Sequence, residues 1–417
     1  MLMKMMSLTS HMRRGCVRHT CSAALVLQGG IQPQQRNNSR YRASWVPLND
    51  RSCRMDRSGC HVRWMSQFTC HSSAIDDGVG KKKVVFLGTP DVAAMVLKDL
   101  IDYSRKDNSC DWVVSAVVTQ PGRPKGRRNK GVPQPSPVQL AAEEYGVPED
   151  MIFCPIKASE GDFINSMKDI GPDLCITAAY GNYLPTSFLS IPKNGTLNIH
   201  PSLLPLYRGA APVQRSLEDG LKRTGVSVLF TVKEMDAGPI VVQTEYDVPD
   251  TMQAPELLSV LFKLGTTSLV ECLPKVWDGT IVPQEQDHSK ATHAAKLERA
   301  QGALDFQHLS AQACHNKVRA FAGWPGTYHS FTFVKDGVKE MIEVKVLETR
   351  VREDCLTDAE RDALRENMVL FNGRDAMMVM CADGSILEIL RLQSPGKKPA
   401  AASAFNNGLT GKTVLHS

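Results

Sequence analysis

The chain has 417 residues, 42% of them hydrophobic and 22% charged, with a formal net charge of +5. That is length for two globular domains plus extensions, and the composition excludes a disordered, collagen-like or disulfide-framed protein. The charge is uneven: residues 1–75 hold Lys4 and ten arginines against Asp50 and Asp56, so taking eleven basic and two acidic residues from 49 and 44 leaves 38 and 42, a net of −4, for residues 76–417. The body is therefore not basic throughout, and any polyanion contact must come from a local patch.

Residues 1–75 contain arginine, serine and methionine, few acids and no clear hydrophobic period. Such a segment is expected to direct import into an organelle, the mitochondrial matrix first and a chloroplast as the alternative. Five of the twelve cysteines lie here, and the other seven form no CxxC pair. A reducing compartment is expected, with neither a disulfide framework nor a structural metal. No apolar run reaches the roughly 18 residues of a membrane span, so no membrane association is expected.

The globular body starts near Lys82. Val84–Leu87 reads as a buried parallel strand, followed by a Gly88-Thr-Pro-Asp turn and a helix from Val92 to Asp102. The GxGxxG pattern is lacking, so no dinucleotide site is expected. After a second strand, Trp112–Thr119, residues 120–131 read QPGRPKGRRNKG, with Arg123, Lys125, Arg127, Arg128 and Lys130 in twelve residues and no acid. Four Gly or Pro positions make this a loop, and a basic loop on an acidic body is a candidate phosphate contact.

Helices are expected at 136–145 and 161–168, and a buried strand at Asp173–Tyr180. The run Gly195–Pro212, GTLNIHPSLLPLYRGAAP, is the centre of the chain. On a strand, Asn198 and His200 share one face while Ile199 points the other way. Pro201 ends the pairing just past the histidine. An amide and an imidazole thus stand at a strand's carboxyl end, where open α/β sheets gather their sites. A helix over Pro212–Glu218, strands at 225–232 and 239–243 around an Asp236-Ala-Gly turn, and a helix over 255–273 complete a doubly wound α/β, Rossmann-like domain spanning 82–285. Residues 286–300 turn polar and read as a linker. From 301 to 415 the chain changes class: one helix, 307–321, then five short β-runs at 327–334, 340–348, 368–371, 376–381 and 386–393, with Asp-Gly and Asn-Gly turns between them. These suggest a small OB-like β-barrel.

The central run together with Phe86-Leu-Gly-Thr-Pro-Asp91, Thr119-Gln-Pro, Pro135-Ser-Pro-Val138, Ala179-Tyr-Gly181 and Ser394-Pro-Gly-Lys-Lys398 resembles the 10-formyltetrahydrofolate-dependent formyltransferases. Within them it resembles the methionyl-tRNA formyltransferase family over nearly all of 83–415. The resemblance implies a one-carbon transfer from 10-formyltetrahydrofolate to the amino group of methionyl-tRNA, without metal, by a monomer. It places Asn198, His200 and Asp236 on the family's catalytic positions and Ser202, Leu203, Leu204 and Pro205 on its folate-binding stretch. The charge pattern agrees with such an acceptor: the five basic-loop cations are expected to grip the acceptor end of the tRNA, with Lys317, Arg319, Arg391, Lys397, Lys398 and Lys412 of the second domain as candidates for holding phosphates at a distance. Formyl transfer requires donors for a developing oxyanion and a path for protons. An asparagine amide is such a donor, a histidine can donate or relay, and an aspartate can support the imidazole. Leu206 and Asp236-Ala-Gly-Pro depart from the family's usual residues. The same residues also allow a small-molecule acceptor, or a non-catalytic RNA-binding protein on this scaffold.

Overall fold

The computed structural model describes residues 80–106, 110–124, 131–353, 356–372 and 376–416. The expected targeting segment and four of the basic-loop cations, Lys125, Arg127, Arg128 and Lys130, lie outside the described residues.

The first domain alternates strand and helix. Its principal elements are β1 (Lys82–Gly88), α1 (Asp91–Lys106), β2 (Trp112–Val118), α2 (Pro137–Glu144), β3 (Ile152–Phe153), α3 (Gly161–Ile170), β4 (Leu174–Ala178) and β5 (Thr196–His200). Then follow α4 (Pro212–Glu218), β6 (Arg223–Phe230), β7 (Ile240–Asp247) and α5 (Ala254–Trp277). The strands form one sheet in the order β7-β6-β5-β4-β1-β2-β3. The run from β5 to β3 is parallel, and β6 and β7 are antiparallel additions at one edge. Strand order reverses between β1 and β4, so their carboxyl ends bound the crevice in which such sheets bind ligands.

Both faces of the sheet are covered, as a parallel sheet requires. Along β1, Val84 and Phe86 enter one apolar cluster with α1, α2 and α5, while Val85 and Leu87 enter another with α3. Ser136 caps α2 by accepting from the Gln139 N–H at 3.0 Å, with Pro137 at the first helical position. Helix α5 is long and apolar enough, by length and composition, to cross a membrane. Here Leu257, Leu261, Leu269 and Leu273 are wholly buried against the sheet. At Gly265 a Cβ would lie 2.5 Å from Ile199 Cγ2 and 2.7 Å from Val226 Cγ2. Only a residue without a Cβ lets α5 sit directly behind the strand that carries Asn198 and His200.

The second domain contains α6 (Ala311–Ala320), β8 (Thr327–Lys335), β9 (Val338–Val351), α7 (Asp358–Arg365), β10 (Leu370–Asn372), β11 (Ala376–Met380), β12 (Ile386–Gln393) and β13 (Thr413–His416). Its antiparallel sheet runs β10-β11-β12-β9-β8-β13. The last strand also returns to the first: Met368 bridges Leu415, and Val369 N–H donates to Val414 O at 2.9 Å. The curled sheet bears out the OB-like expectation. Alternation along β8 sends Thr327, His329, Phe331 and Phe333 inward.

That barrel encloses two buried histidines. His329 gives Nδ1 to Leu304 O at 2.8 Å, and His416, 4% exposed, has no hydrogen-bond partner for either ring nitrogen among the described residues. Burial, and then the neighbouring His329, pushes His416 down to about 4 from an ordinary 6.5. The unfolded chain therefore binds the proton first as pH falls. The associated stability is fully present above pH 6.5 and is lost progressively between 6.5 and 4, about 3 kcal/mol in all. Thermal unfolding followed against pH is expected to show this loss, and His416→Leu to shallow it; an unchanged profile in the variant would place the acid sensitivity elsewhere.

Candidate active site

Strand β5 delivers the two side chains as its period demands. Leu197 and Ile199 are buried in the core, and Asn198 and His200 share the opposite face. Asn198 is flanked by β4: Thr177 Oγ1 donates to Asn198 Oδ1 at 2.8 Å. The amide oxygen is thereby occupied, and Asn198 Nδ2 has no acceptor among the described residues. It is a donor held ready at the crevice. Thr177→Val keeps the shape and removes the hydroxyl, so the carboxamide is free to turn. A loss in kcat of about tenfold is expected, with KM little changed; steady-state kinetics checks it.

His200 is 4% exposed. Its Nε2 lies 3.0 Å from Tyr207 O. A carbonyl only accepts, so Nε2 carries hydrogen and donates. Nδ1 faces Asp236, with Oδ1 at 3.6 Å. That is longer than a hydrogen bond, and catalytic contacts commonly tighten only when substrate binds. Asp236 has φ of 52°, a left-handed conformation that aspartate tolerates better than most residues. Its Oδ2 accepts from the Gly209 N–H at 2.9 Å.

The backbone of Ser202–Pro205, the stretch on which the resemblance places folate binding, is hydrogen-bonded within the protein. Ser227 Oγ donates to Ser202 O at 2.7 Å and accepts from the Leu204 N–H at 3.1 Å. Gln243 Nε2 donates to Leu204 O at 2.9 Å, and Ser202 Oγ donates to Leu206 O at 2.7 Å. Leu204 is buried, and Leu203 packs over Gly225. The stretch thus stitches the loop after His200 onto β6 and β7, and so holds Tyr207 O against the imidazole.

The polar run 286–300 is likewise no free linker. Thr292 O accepts from the Arg208 N–H at 2.9 Å, Thr292 Oγ1 from the Tyr207 N–H at 2.8 Å, and Ala294 O from the Ala211 N–H at 3.2 Å. Gln286, buried between exposed Glu285 and exposed Asp287–Lys290, touches both the Arg208 loop and the Asp236 turn. Thr177, Tyr207 and Gln286 escape a reading of the sequence. Only the buried position of Thr177 in an apolar strand is a signal, and it points equally to a core residue.

Of the basic loop, Arg123 is described. Its Nη2 donates to Gln120 Oε1 at 2.5 Å, and Arg123–Pro124 pairs with Pro133–Gln134 to close the loop's base. Gln120 Nε2 in turn donates to Tyr180 O at 3.0 Å, at the carboxyl end of β4. In the second domain the expected phosphate contacts divide. Arg319, 2% exposed, donates Nη1 to Pro249 O at 3.3 Å and joins the two domains, so it is not available to a polyanion. Arg391 pairs with Glu348 at 2.7 Å, Lys412 lies 3.7 Å from Glu340, and Lys317 donates to Ala303 O. Lys397, Lys398 and Lys412 line one cavity with Phe333 and Phe405. No His, Cys, Asp and Glu cluster among the described residues could hold a metal.

A doubly wound sheet with an amide–imidazole–carboxylate group at one strand end, followed by an antiparallel barrel, is the build of a formyltransferase. The formyl transferase family model matches residues 82–273, and the model of the formyl transferase C-terminal domain matches 296–410. Among solved structures the fold is similar to WlaRD, a sugar 3N-formyltransferase, at TM-score 0.51 and 13% identity, over 76% of this chain and 99% of that one. HypX from Aquifex aeolicus aligns at TM-score 0.50 and 14% identity, over 79% of this chain and 49% of that one. The methionyl-tRNA formyltransferase of Kosmotoga olearia is 36% identical over 316 residues, 76% of this chain and 93% of that protein. That of Thermotoga maritima is 35% identical over 326 residues, 78% and 95% of the two chains. The chain belongs to the methionyl-tRNA formyltransferase family and is an enzyme, a transferase.

Proposed function

We propose that this chain transfers the formyl group of 10-formyltetrahydrofolate to the α-amino group of methionyl-tRNA, and that it does so in an organelle, the mitochondrial matrix first, to prepare initiator tRNA for translation. The observation that carries the reading is the site at the end of β5: an amide with its oxygen tied and its N–H groups without an acceptor among the described residues, beside an imidazole fixed between a carbonyl and a carboxylate.

A formyl donor fits these residues. The unpartnered Asn198 Nδ2 stands at the carboxyl end of the sheet, and exposed Tyr183 and Met235 offer apolar surface in the loops beyond β4 and β6. The donor supplies an activated one-carbon unit. Asn198 Nδ2 donates to the carbonyl oxygen as negative charge gathers there, a preorganised contact that needs no rearrangement during reaction. Nδ1 of His200 is the ring nitrogen placed for proton exchange, because Nε2 is spoken for by Tyr207 O. Asp236 holds the charge beside it. Arg123 and the rest of the basic loop supply phosphate contacts for the polynucleotide. The arginine-rich, acid-poor residues 1–75 support import.

The test incubates the full chain with 10-formyltetrahydrofolate and charged methionyl-tRNA, with free methionine as control. N-formylmethionine recovered from the tRNA alone is the expected result. Formylation of a small amine instead would overturn the acceptor. Residues 1–75 fused to a fluorescent protein are expected to enter mitochondria; retention in the cytosol would overturn the organellar part.

A further inference from the structure

We infer that Gln286 is a positioning residue for the reaction: its carboxamide holds the Asp236 turn and the Arg208 loop in the one arrangement that sets Asp236 beside His200. The inference rests on the role given to Asp236 above.

Every polar atom of this side chain is used. Nε2 donates to Asp236 O at 2.8 Å and to Gly238 O at 2.7 Å. Oε1 accepts from Arg208 Nε at 3.1 Å and Nη2 at 2.5 Å. The orientation of the amide is fixed by its partners, since two carbonyls can only accept and a guanidinium can only donate. Gln286 is 5% exposed, while its neighbours from Glu285 to Lys290 are otherwise all exposed. A fully satisfied buried amide in a polar surface run marks a site where the position of other groups is specified.

What it specifies follows from three consecutive residues. Tyr207 O meets His200 Nε2, the Arg208 side chain meets Gln286, and the Gly209 N–H meets Asp236 Oδ2. The Asp236 turn is thus caught twice, by its backbone through Gln286 Nε2 and by its carboxylate through Gly209. The left-handed φ of Asp236 persists because this frame over-determines it. Without the carboxamide, the backbone of the turn is no longer held to the Arg208 loop, and only the bond from the Gly209 N–H to the carboxylate remains between them. The carboxylate then drifts from the imidazole while the crevice that binds the substrates keeps its walls. The expected signature is therefore in kcat and not in KM.

The test uses the full chain with two substitutions. Gln286→Leu removes all four bonds. Gln286→Glu keeps the size and the Arg208 contact but sets a carboxylate oxygen against the carbonyls of Asp236 and Gly238, and it carries the test should the leucine variant fail to fold. Each is expected to lower kcat by about tenfold or more with KM for both substrates changed less than about twofold. Added to Asp236→Asn, either is expected to lower kcat by less than about a further twofold, because the two act through one group. Multiplying effects in the double variant would show a merely structural role and overturn the inference, as would a normal kcat in a folded Gln286→Glu protein. Full activity of Asp236→Asn alone would overturn the role of Asp236 itself, and the inference with it. An inactive Asp236→Asn beside normal Gln286 variants would overturn the inference alone.

Discussion

Asn198→Ala and His200→Ala are each expected to lower kcat by about 10²-fold or more, the usual effect of removing a preorganised donor from a site where charge develops. The two differ in what they disturb. Truncating Asn198 leaves the Thr177 hydroxyl without the acceptor it has at 2.8 Å, but Leu197 O lies within reach at 3.3 Å. The strand should therefore stand unchanged, and the loss should fall on kcat with KM little altered. His200 is nearly buried, and its imidazole braces Tyr207 O across the loop. Its removal opens a cavity beside that loop, so a modest loss of thermal stability is expected along with the catalytic defect. His200→Asn, which still offers a donor, should recover part of the stability and little of the rate. Steady-state kinetics with both substrates varied, beside thermal unfolding of each variant, makes the check. A near-normal kcat in either alanine variant would remove that residue from the chemistry.

Gly238→Ala is expected to be the most damaging single methyl group in the catalytic domain. An added Cβ would stand 1.8 Å from Phe230 O and 3.3 Å from Val232 Cγ1. The first neighbour is backbone, at the end of β6, and cannot swing aside as a flexible side chain would. The turn must move, and it carries Asp236 two residues earlier. Overpacking of this kind costs about 3 kcal/mol where nothing can yield. The Gly238 carbonyl and the Asp236 carbonyl also share one carboxamide, so the displacement breaks that tie as well. A drop of several degrees in the unfolding midpoint is expected, with at least about a tenfold loss in kcat. An alanine variant as stable and as active as the parent would mean that the turn has room the structure does not show.

Much of the fold follows from local rules that can be read along the chain. The buried β-runs at 84–87, 112–119 and 173–180 carry the continuous apolar character of parallel strands covered on both faces, and β1, β2 and β4 lie there. The Asp-Gly turns at 336–337 and 383–384 announce antiparallel strands, and β8, β9, β11 and β12 are found on either side of them. The final strand is not announced. Thr413–His416 is four residues long, and its pairing partners are some 80 and 45 positions away. Barrel closure is a property of the whole sheet and leaves no local period.

The site divides in the same way. By itself the sequence determined that Asn198 and His200 stand together at a strand end, because a period of two and a following proline suffice for that. It determined the doubly wound and OB-like classes, because hydrophobic spacing and turn residues act over a few positions. Only the tertiary structure decided that Ser202–Pro205 is stitched inward, that Arg319 is sealed between two domains, and that a polar run read as a linker brings Gln286 to Asp236. Each of those outcomes is a hydrogen bond between groups 23 to 78 residues apart. Hydrogen bonds are short and directional, and their partners are chosen by where the folded backbone arrives. No spacing along the chain records that choice.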